Sequence, residues 1–528
     1  MGRLLLRTAR AALGMLSTLG VLGAVGHAQA APDPAALYAQ HCASCHGPGR
    51  LGAMGPALLP ESLERLKPRA LLSTLQNGRP ATQMPAFGAV LQADEIDALA
   101  RWVRTPVSPT PRWALADIQA SRIEYHAPGS LPDRPQGPIA QTDPMNLFVV
   151  VEAGDHHVSI IDGDRMARIT RFPSRFALHG GPKFSPDGRY VYFASRDGWV
   201  SKYDLWNLQL VAEVRAGINT RNLAVSADGT VVAVANSLPG SLALFDADLK
   251  LLRLIPGASL DGKTPGRFSA VYDAGPRHSF VATFRDLPEI WELSYDPAAA
   301  PIHEGYVHDY PMGEAVARPG YLHPRRTVLE APLDDFFFNP DYTQLIGAQR
   351  GGEALVVNLD VRRPIAQLAL AGMPHLGSGI SWLRDGHRVA ASTDLQSGQV
   401  SVFDMNTWQP VARIATAGPG FFLRSHETSP YAWVDSMMSP TGRDTLQVID
   451  KQSLEVVAQV RTDPGKTLAH VEFDRHGRYL IASLMEQEGA LIFLDARTFK
   501  EIRRLPACKP IGKYNLANKI GKSEGTSH

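Results

Sequence analysis

Along the C-terminal four hundred or so residues, a strand that ends in an acidic or amide residue and runs into a turn and a second strand recurs again and again. This repetition constrains the fold more than any other feature of the chain. The clear copies are Val158-Ser-Ile-Ile-Asp162, Val200-Ser-Lys-Tyr-Asp204, Leu242-Ala-Leu-Phe-Asp246, Leu355-Val-Val-Asn358, Val400-Ser-Val-Phe-Asp404, Leu446-Gln-Val-Ile-Asp450 and Leu491-Ile-Phe-Leu-Asp495. A weaker copy, Ile290-Trp-Glu-Leu-Ser294, brings the number to eight. Adjacent clear copies begin 42 to 46 residues apart, the length of one four-stranded propeller blade. Turn signals such as Ser185-Pro-Asp-Gly188, Ser226-Ala-Asp-Gly229 and Arg384-Asp-Gly386 fall between them at hairpin positions. A β-helix would need a shorter period, and a sandwich would not repeat eight times. Residues 145–528 therefore read as an eight-bladed β-propeller whose axial funnel can hold a flat ligand.

The N-terminal part has another texture. A short helix expected over Pro34 to His41 runs into Cys42-Ala43-Ser44-Cys45-His46, a spacing at which two thiols add to haem vinyl groups and the adjoining histidine becomes an iron ligand. Thioredoxin-like chemistry, the other use of Cys-x-x-Cys, lacks its βαβ surroundings here and leaves His46 unexplained. The second axial ligand is expected from Met84, in a loop after the turn-rich Asn77-Gly78-Arg79-Pro80, with Met54 as the competitor. A thioether favours ferrous iron and raises the potential. Asp94 to Val103 reads as an amphipathic closing helix, and prolines 106, 109 and 111 mark the end. The stretch resembles a small all-α class I cytochrome c domain over 31–105, followed by a linker over 106–144.

Arg3, Arg7 and Arg10, the apolar run Ala11 to Val25 and the small-residue site Ala28-Gln29-Ala30 read as a secretory signal over 1–30. A membrane anchor would need a longer apolar run, so no membrane span is expected in the mature chain. The chain carries 53 basic and 52 acidic residues. Losing three arginines leaves a balance near −2, which argues against a nucleic-acid binder. Cys508 has no partner in the chain and reads as a small apolar group.

Val151-Glu-Ala-Gly154, Ile161-Asp-Gly163, Ala177-Leu-His179, Ser185-Pro-Asp-Gly-Arg-Tyr190 and Arg196-Asp-Gly198 before Tyr203-Asp-Leu-Trp206 occur in that order, and Pro510-Ile-Gly-Lys-Tyr-Asn515 closes the chain. This run resembles the haem d1 propeller of cytochrome cd1 nitrite reductase and its relatives. The resemblance implies that His179 is the proximal ligand to a non-covalent haem d1 or dihydro-haem d1, and that Arg196 and Arg221 hold its carboxylates, work suited to arginine's fork. His375 matches one of two distal histidines of the nitrite reductases; the segment Leu333-Asp-Asp-Phe-Phe-Phe-Asn-Pro340, where the other is expected, has none. With half of its acid groups missing, nitrite dehydration should be slow. The departure points to a periplasmic branch of the family that oxidises a propionate of dihydro-haem d1 to acrylate. That chemistry needs a base, for which His426 is the first candidate and His470 the second. Electrons would pass to the haem c and on to an external acceptor, with transient contact to a cd1 nitrite reductase. A nitrite reductase and a non-catalytic haem d1 carrier are the alternatives.

Overall fold

The computed structural model describes residues 31–528 except 54, 65, 80–83, 305–315, 350–352, 371, 523 and 526–528. The signal expected over 1–30 and the competing Met54 lie outside the described residues. Among the described residues, no helix is long and apolar enough to cross a membrane.

Helices Pro34–His41, Ala43–His46, Pro68–Asn77 and Ala93–Trp102 make up the N-terminal domain. Asp33 caps the first, accepting from the N–H groups of Ala35 and Ala36 at 3.0 and 3.3 Å, and so offsets orphan donors of the first turn. Tyr38, Leu71, Leu75, Ile96, Leu99 and Ala100 bury the apolar stripes against one another. Arg50 ties the closing helix to the loop after the Cys-x-x-Cys-His motif, donating to the carbonyls of Trp102 and Thr105 at 2.8 Å each.

Eight antiparallel blades follow among the described residues, seven of four strands and the second of four with an added outer strand, beside a small two-stranded sheet. Every repeat copy, including the weak one at 290–294, is a third strand. The acid that ends it caps the turn into the fourth strand: Asp162 accepts from the N–H groups of Asp164 and Arg165, Asp404 from Asn406 and Thr407, Asp450 from Gln452 and Ser453, and Asp495 from Arg497 and Thr498, all at 2.7–3.1 Å. These are Asx turns, the local structure that Asp and Asn favour.

The C-terminal strand Pro510–Asn515 pairs with Leu147–Glu152 and becomes the innermost strand of the first blade. Both ends of the propeller thus share one sheet, which closes the ring without a free edge. All inner strands run the same way. The loops entering them, and those between second and third strands, therefore open on one face, the front; the hairpins leaving them open on the back.

The expected linker is fastened down. Ile118 is fully buried, Trp113 Nε1 donates to the Arg215 carbonyl at 2.9 Å, and Ile123–Glu124 adds a strand to the outer edge of the second blade. The helical domain sits on the front face, with Ala57 and Leu59 packed on Ile218 and Glu64 paired with Arg285 and Arg267 at 3.3 and 3.6 Å.

Candidate active site

In the helical domain, Cys42 and Cys45 are unpaired thiols. The Cys42 thiol is pushed up to about 11, by burial first and by Cys45 second. His46 is 7% exposed, and its Nδ1 bonds the Pro56 carbonyl at 2.8 Å. That contact fixes the tautomer and leaves Nε2 as the ligating nitrogen, while burial holds the ring's pKa below the ordinary value. A Cβ on Gly55 would lie 2.8 Å from the ring, so only glycine fits beneath it. Met84 packs on the same core as Cys42. Its loop folds back on the third helix: Arg79 N–H donates to the Met84 carbonyl at 3.1 Å and Phe87 N–H to that of Leu75 at 2.9 Å. Two thiols, a histidine held at Nδ1 and a thioether on one small core are residues that fit a covalent haem c.

The front funnel is assembled from one residue or a few per blade. His179 lies in the loop entering the second blade. Its N–H donates to the Ala194 carbonyl at 2.9 Å, Arg196 N–H to that of Ala177 at 3.1 Å, and Thr220 N–H to that of Arg196 at 3.3 Å. His179 Nδ1 bonds the Arg221 carbonyl at 2.6 Å. Backbone bonds thus bring His179, Arg196 and Arg221 together. Gly180, at φ +82°, makes the turn possible: a Cβ there would lie 2.5 Å from that of Asn222.

Around the axis from Arg221, Tyr272 donates its hydroxyl proton to Asp335 at 3.1 Å, and Asp335 accepts the Gly377 N–H at 2.6 Å. Asp335 is what the segment without the second distal histidine contributes. His375 Nδ1 bonds the Phe421 carbonyl at 2.8 Å, and burial, the largest cause, holds its pKa below the ordinary value. An aromatic run then links four blades: His375 to Phe421 at 4.0 Å between ring centroids, Phe421 to Phe422 at 4.6 Å, Phe422 to His470 at 4.4 Å and His470 to Tyr514 at 5.4 Å.

His470 occupies a bulge of the eighth inner strand at φ +49°. Its N–H is accepted by Asp435 at 3.3 Å. The same carboxylate accepts the N–H groups of Phe421 and Phe422 at 2.8 and 3.2 Å, so one acid sets the bulge and the aromatic run. His470 Nε2 is buried without a hydrogen-bond partner. Burial, then Lys513, Arg424 and Lys519, drive its pKa well below that of a free imidazole. The ring is neutral and its second nitrogen is uncommitted.

His426 is not in this funnel, a correction to the sequence expectation. It follows the inner strand of the seventh blade, in the hairpin on the back face, where its Nδ1 accepts the Thr428 N–H at 3.2 Å and its ring packs on Phe473 at 5.9 Å. The motif Phe422-Leu-Arg-Ser-His426 spans that strand; four steps of about 3.3 Å set Phe422 and His426 at opposite ends of it. Asp435 at the site had no motif to mark it; Arg424, Lys513 and Tyr514 lay inside quoted segments, but nothing in those segments gave them a role. Cys508 is half-buried, with its thiol pushed up by burial first and then by Asp155 and Glu152, consistent with an inert group.

The family described as "Cytochrome D1 heme domain" matches residues 142–519, and that described as "Cytochrome C oxidase, cbb3-type, subunit III" matches 29–103. The chain is 51% identical to "Dihydro-heme d1 dehydrogenase" of Pseudomonas aeruginosa, over 98% of this chain and 99% of that one. It is 31% identical to "Protein NirF" of Stutzerimonas stutzeri, over 70% and 91%. A solved structure described as "Dihydro-heme d1 dehydrogenase NirN in complex with DHE" superimposes with a TM-score of 0.84 at 50% identity, over 93% of this chain and 100% of that one.

Proposed function

The chain belongs to the cytochrome d1 haem-domain family, and from that premise we propose that it is a periplasmic dehydrogenase of haem d1 biosynthesis. It oxidises a propionate side chain of dihydro-haem d1 to acrylate and passes the electrons to its own haem c. In the reaction, –CH2–CH2–COO⁻ becomes –CH=CH–COO⁻ with loss of two protons and two electrons. The observation that carries the reading is the buried, uncommitted Nε2 of neutral His470, in the same funnel as His179, Arg196 and Arg221 and on the face against which the helical domain docks.

Each residue has a share of the work. His179, steered by the Arg221 carbonyl, offers Nε2 to the macrocycle iron. Arg196 and Arg221 pair with carboxylates, and Phe421 and Phe422 exclude water beside the ring edge. His470 accepts the proton, since a neutral imidazole needs no prior deprotonation. His375 sits on the same rim, with its ring proton given to the Phe421 carbonyl, and keeps a distal contact role. When bound through Cys42, Cys45, His46 and Met84, haem c supplies a one-electron acceptor, and the electrons leave singly to an external acceptor. Transient contact with a cd1 nitrite reductase receives the finished haem d1.

The test is anaerobic addition of dihydro-haem d1 while haem c reduction and the macrocycle spectrum are followed. The wild type should reduce haem c with conversion of the substrate. His470→Ala should bind and shift the substrate spectrum but reduce haem c about a hundred- to ten-thousandfold more slowly. Wild-type speed in that variant would remove His470 as the base. Nitrite turnover matching that of a true reductase, after loading with finished haem d1, would overturn the dehydrogenase reading.

A further inference from the structure

Behind His470 stands a lysine with no exposure to solvent. Lys513, on the strand that closes the ring, is fully buried. Its Nζ lies 3.4 Å from His470 Nδ1 and 2.8 Å from Ser483 Oγ, and it also donates to the His470 carbonyl. The charged and titratable groups facing the pair are the cations Arg424 and Lys519, the carboxylates Glu472 and Asp435, and the Tyr514 phenol.

The charge on Lys513 decides what His470 can do. An ammonium donates to Nδ1, which then carries the imidazole's lone pair. The ring proton must sit on Nε2, and the funnel-facing nitrogen can accept nothing. A neutral amine accepts the Nδ1 proton in a hydrogen bond, and Nε2 presents its lone pair to the funnel. We propose that Lys513 is a neutral amine that positions His470 as the base and takes its Nδ1 proton as Nε2 accepts one from the substrate. This rests on the dehydrogenase reading above.

The balance closes without a further reagent. A C–H bond of the propionate breaks and an N–H bond forms at Nε2; the Nδ1–H bond breaks and one forms at Nζ. The two electrons go singly to haem c and on to the external one-electron acceptor. Nε2 then gives its proton to water as Lys513 returns its own to Nδ1, and the pair, so reset, takes the second proton by the same route. Positive charge thereby moves out of the funnel toward Glu472 and Asp435. Burial drives the Lys513 pKa well below the ordinary value and Arg424 adds to it, against the opposing pull of those two carboxylates.

Lys513→Arg decides the matter, because a guanidinium is always protonated and cannot receive the proton, while it supplies the charge that a structural cation would. Lys513→Met removes both. In anaerobic assays both variants should bind dihydro-haem d1 with the wild-type spectral shift, yet reduce haem c about a hundredfold or more slowly. The wild-type rate should rise with pH as the His470–Lys513 pair loses its shared proton, and Lys513→Arg should lack that limb. Should Lys513→Met fail to fold, Lys513→Arg alone decides. Wild-type speed and pH profile in Lys513→Arg would make Lys513 a structural cation and overturn the proposal. Loss of tetrapyrrole binding in it would overturn the proposal too, by making Lys513 a binding residue. The underlying reading fails separately, by a fast His470→Ala; a slow His470→Ala beside a fast Lys513→Arg sinks only the lysine's part.

Discussion

His179 would hold a tetrapyrrole by an iron bond, and Arg196 and Arg221 by charge-assisted contacts worth roughly 1.5–3 kcal/mol each, about ten- to more than a hundredfold in affinity. Arg196→Ala and Arg221→Ala should therefore weaken dihydro-haem d1 binding by that factor, measured by spectral titration, and leave haem c untouched. In the helical domain, Met84→Ala should abolish any thioether-to-ferric charge-transfer band and lower the haem c potential. The neutral state of His470 also has a cost in acid. Its unfolded value is 6.5 and its folded value lies well below, so beneath pH 6.5 the unfolded chain binds a proton that the native chain does not. Its contribution to stability is full above that value and falls, as pH drops through the window, by about 1.4 kcal/mol per unit. His470→Gln should flatten this acid limb in urea midpoints taken between pH 4 and 7 or so; an unchanged slope would mean that another buried group dominates it.

At the scale of elements, the terminal polar residue of each third strand, an aspartate in six of eight, is a turn device, which explains why it repeats. Asp495 accepts from the Arg497 and Thr498 N–H groups at 3.1 and 2.7 Å and from the Thr498 hydroxyl at 2.9 Å. Asp495→Ala should cost about 1 kcal/mol, seen as a lower denaturant midpoint, with haem binding intact. Asp435 resembles these acids in composition but ends a second strand and faces the front. Three of its four backbone bonds go to Phe421, Phe422 and His470. Asp435→Ala should therefore damage substrate binding and turnover together. The repeat was legible because turn chemistry is local; the role of Asp435 was not, because its partners come from two blades.

For the whole molecule, ring closure and domain docking decide function. A chain ending after Lys509 loses the inner strand of its first blade and, with it, Lys513 and Tyr514; it should fail to fold as a propeller by circular dichroism. Glu64→Arg sets a third cation beside Arg267 and Arg285, in place of their shared partner. It should slow haem c reduction by bound substrate in a salt-dependent way, without changing substrate affinity. By itself the sequence determined the eight repeats and the haem c attachment motif, because each rests on short-range spacing or a contiguous motif; it offered Met84 as a loop ligand candidate and, through the family resemblance, His179, Arg196, Arg221 and His375 as expectations. Which remaining histidine faces the funnel was decided by tertiary structure alone. His426 and His470 both belong to inner-strand segments; strand direction sends the first to the back face, and a bulge pinned by Asp435 keeps the second at the front. The ring of Arg221, Tyr272, Asp335, His375, Phe422, His470 and Tyr514 draws on seven blades and nearly three hundred residues of chain. No local pattern encodes that ring, because its members meet only once the last strand has closed the first blade.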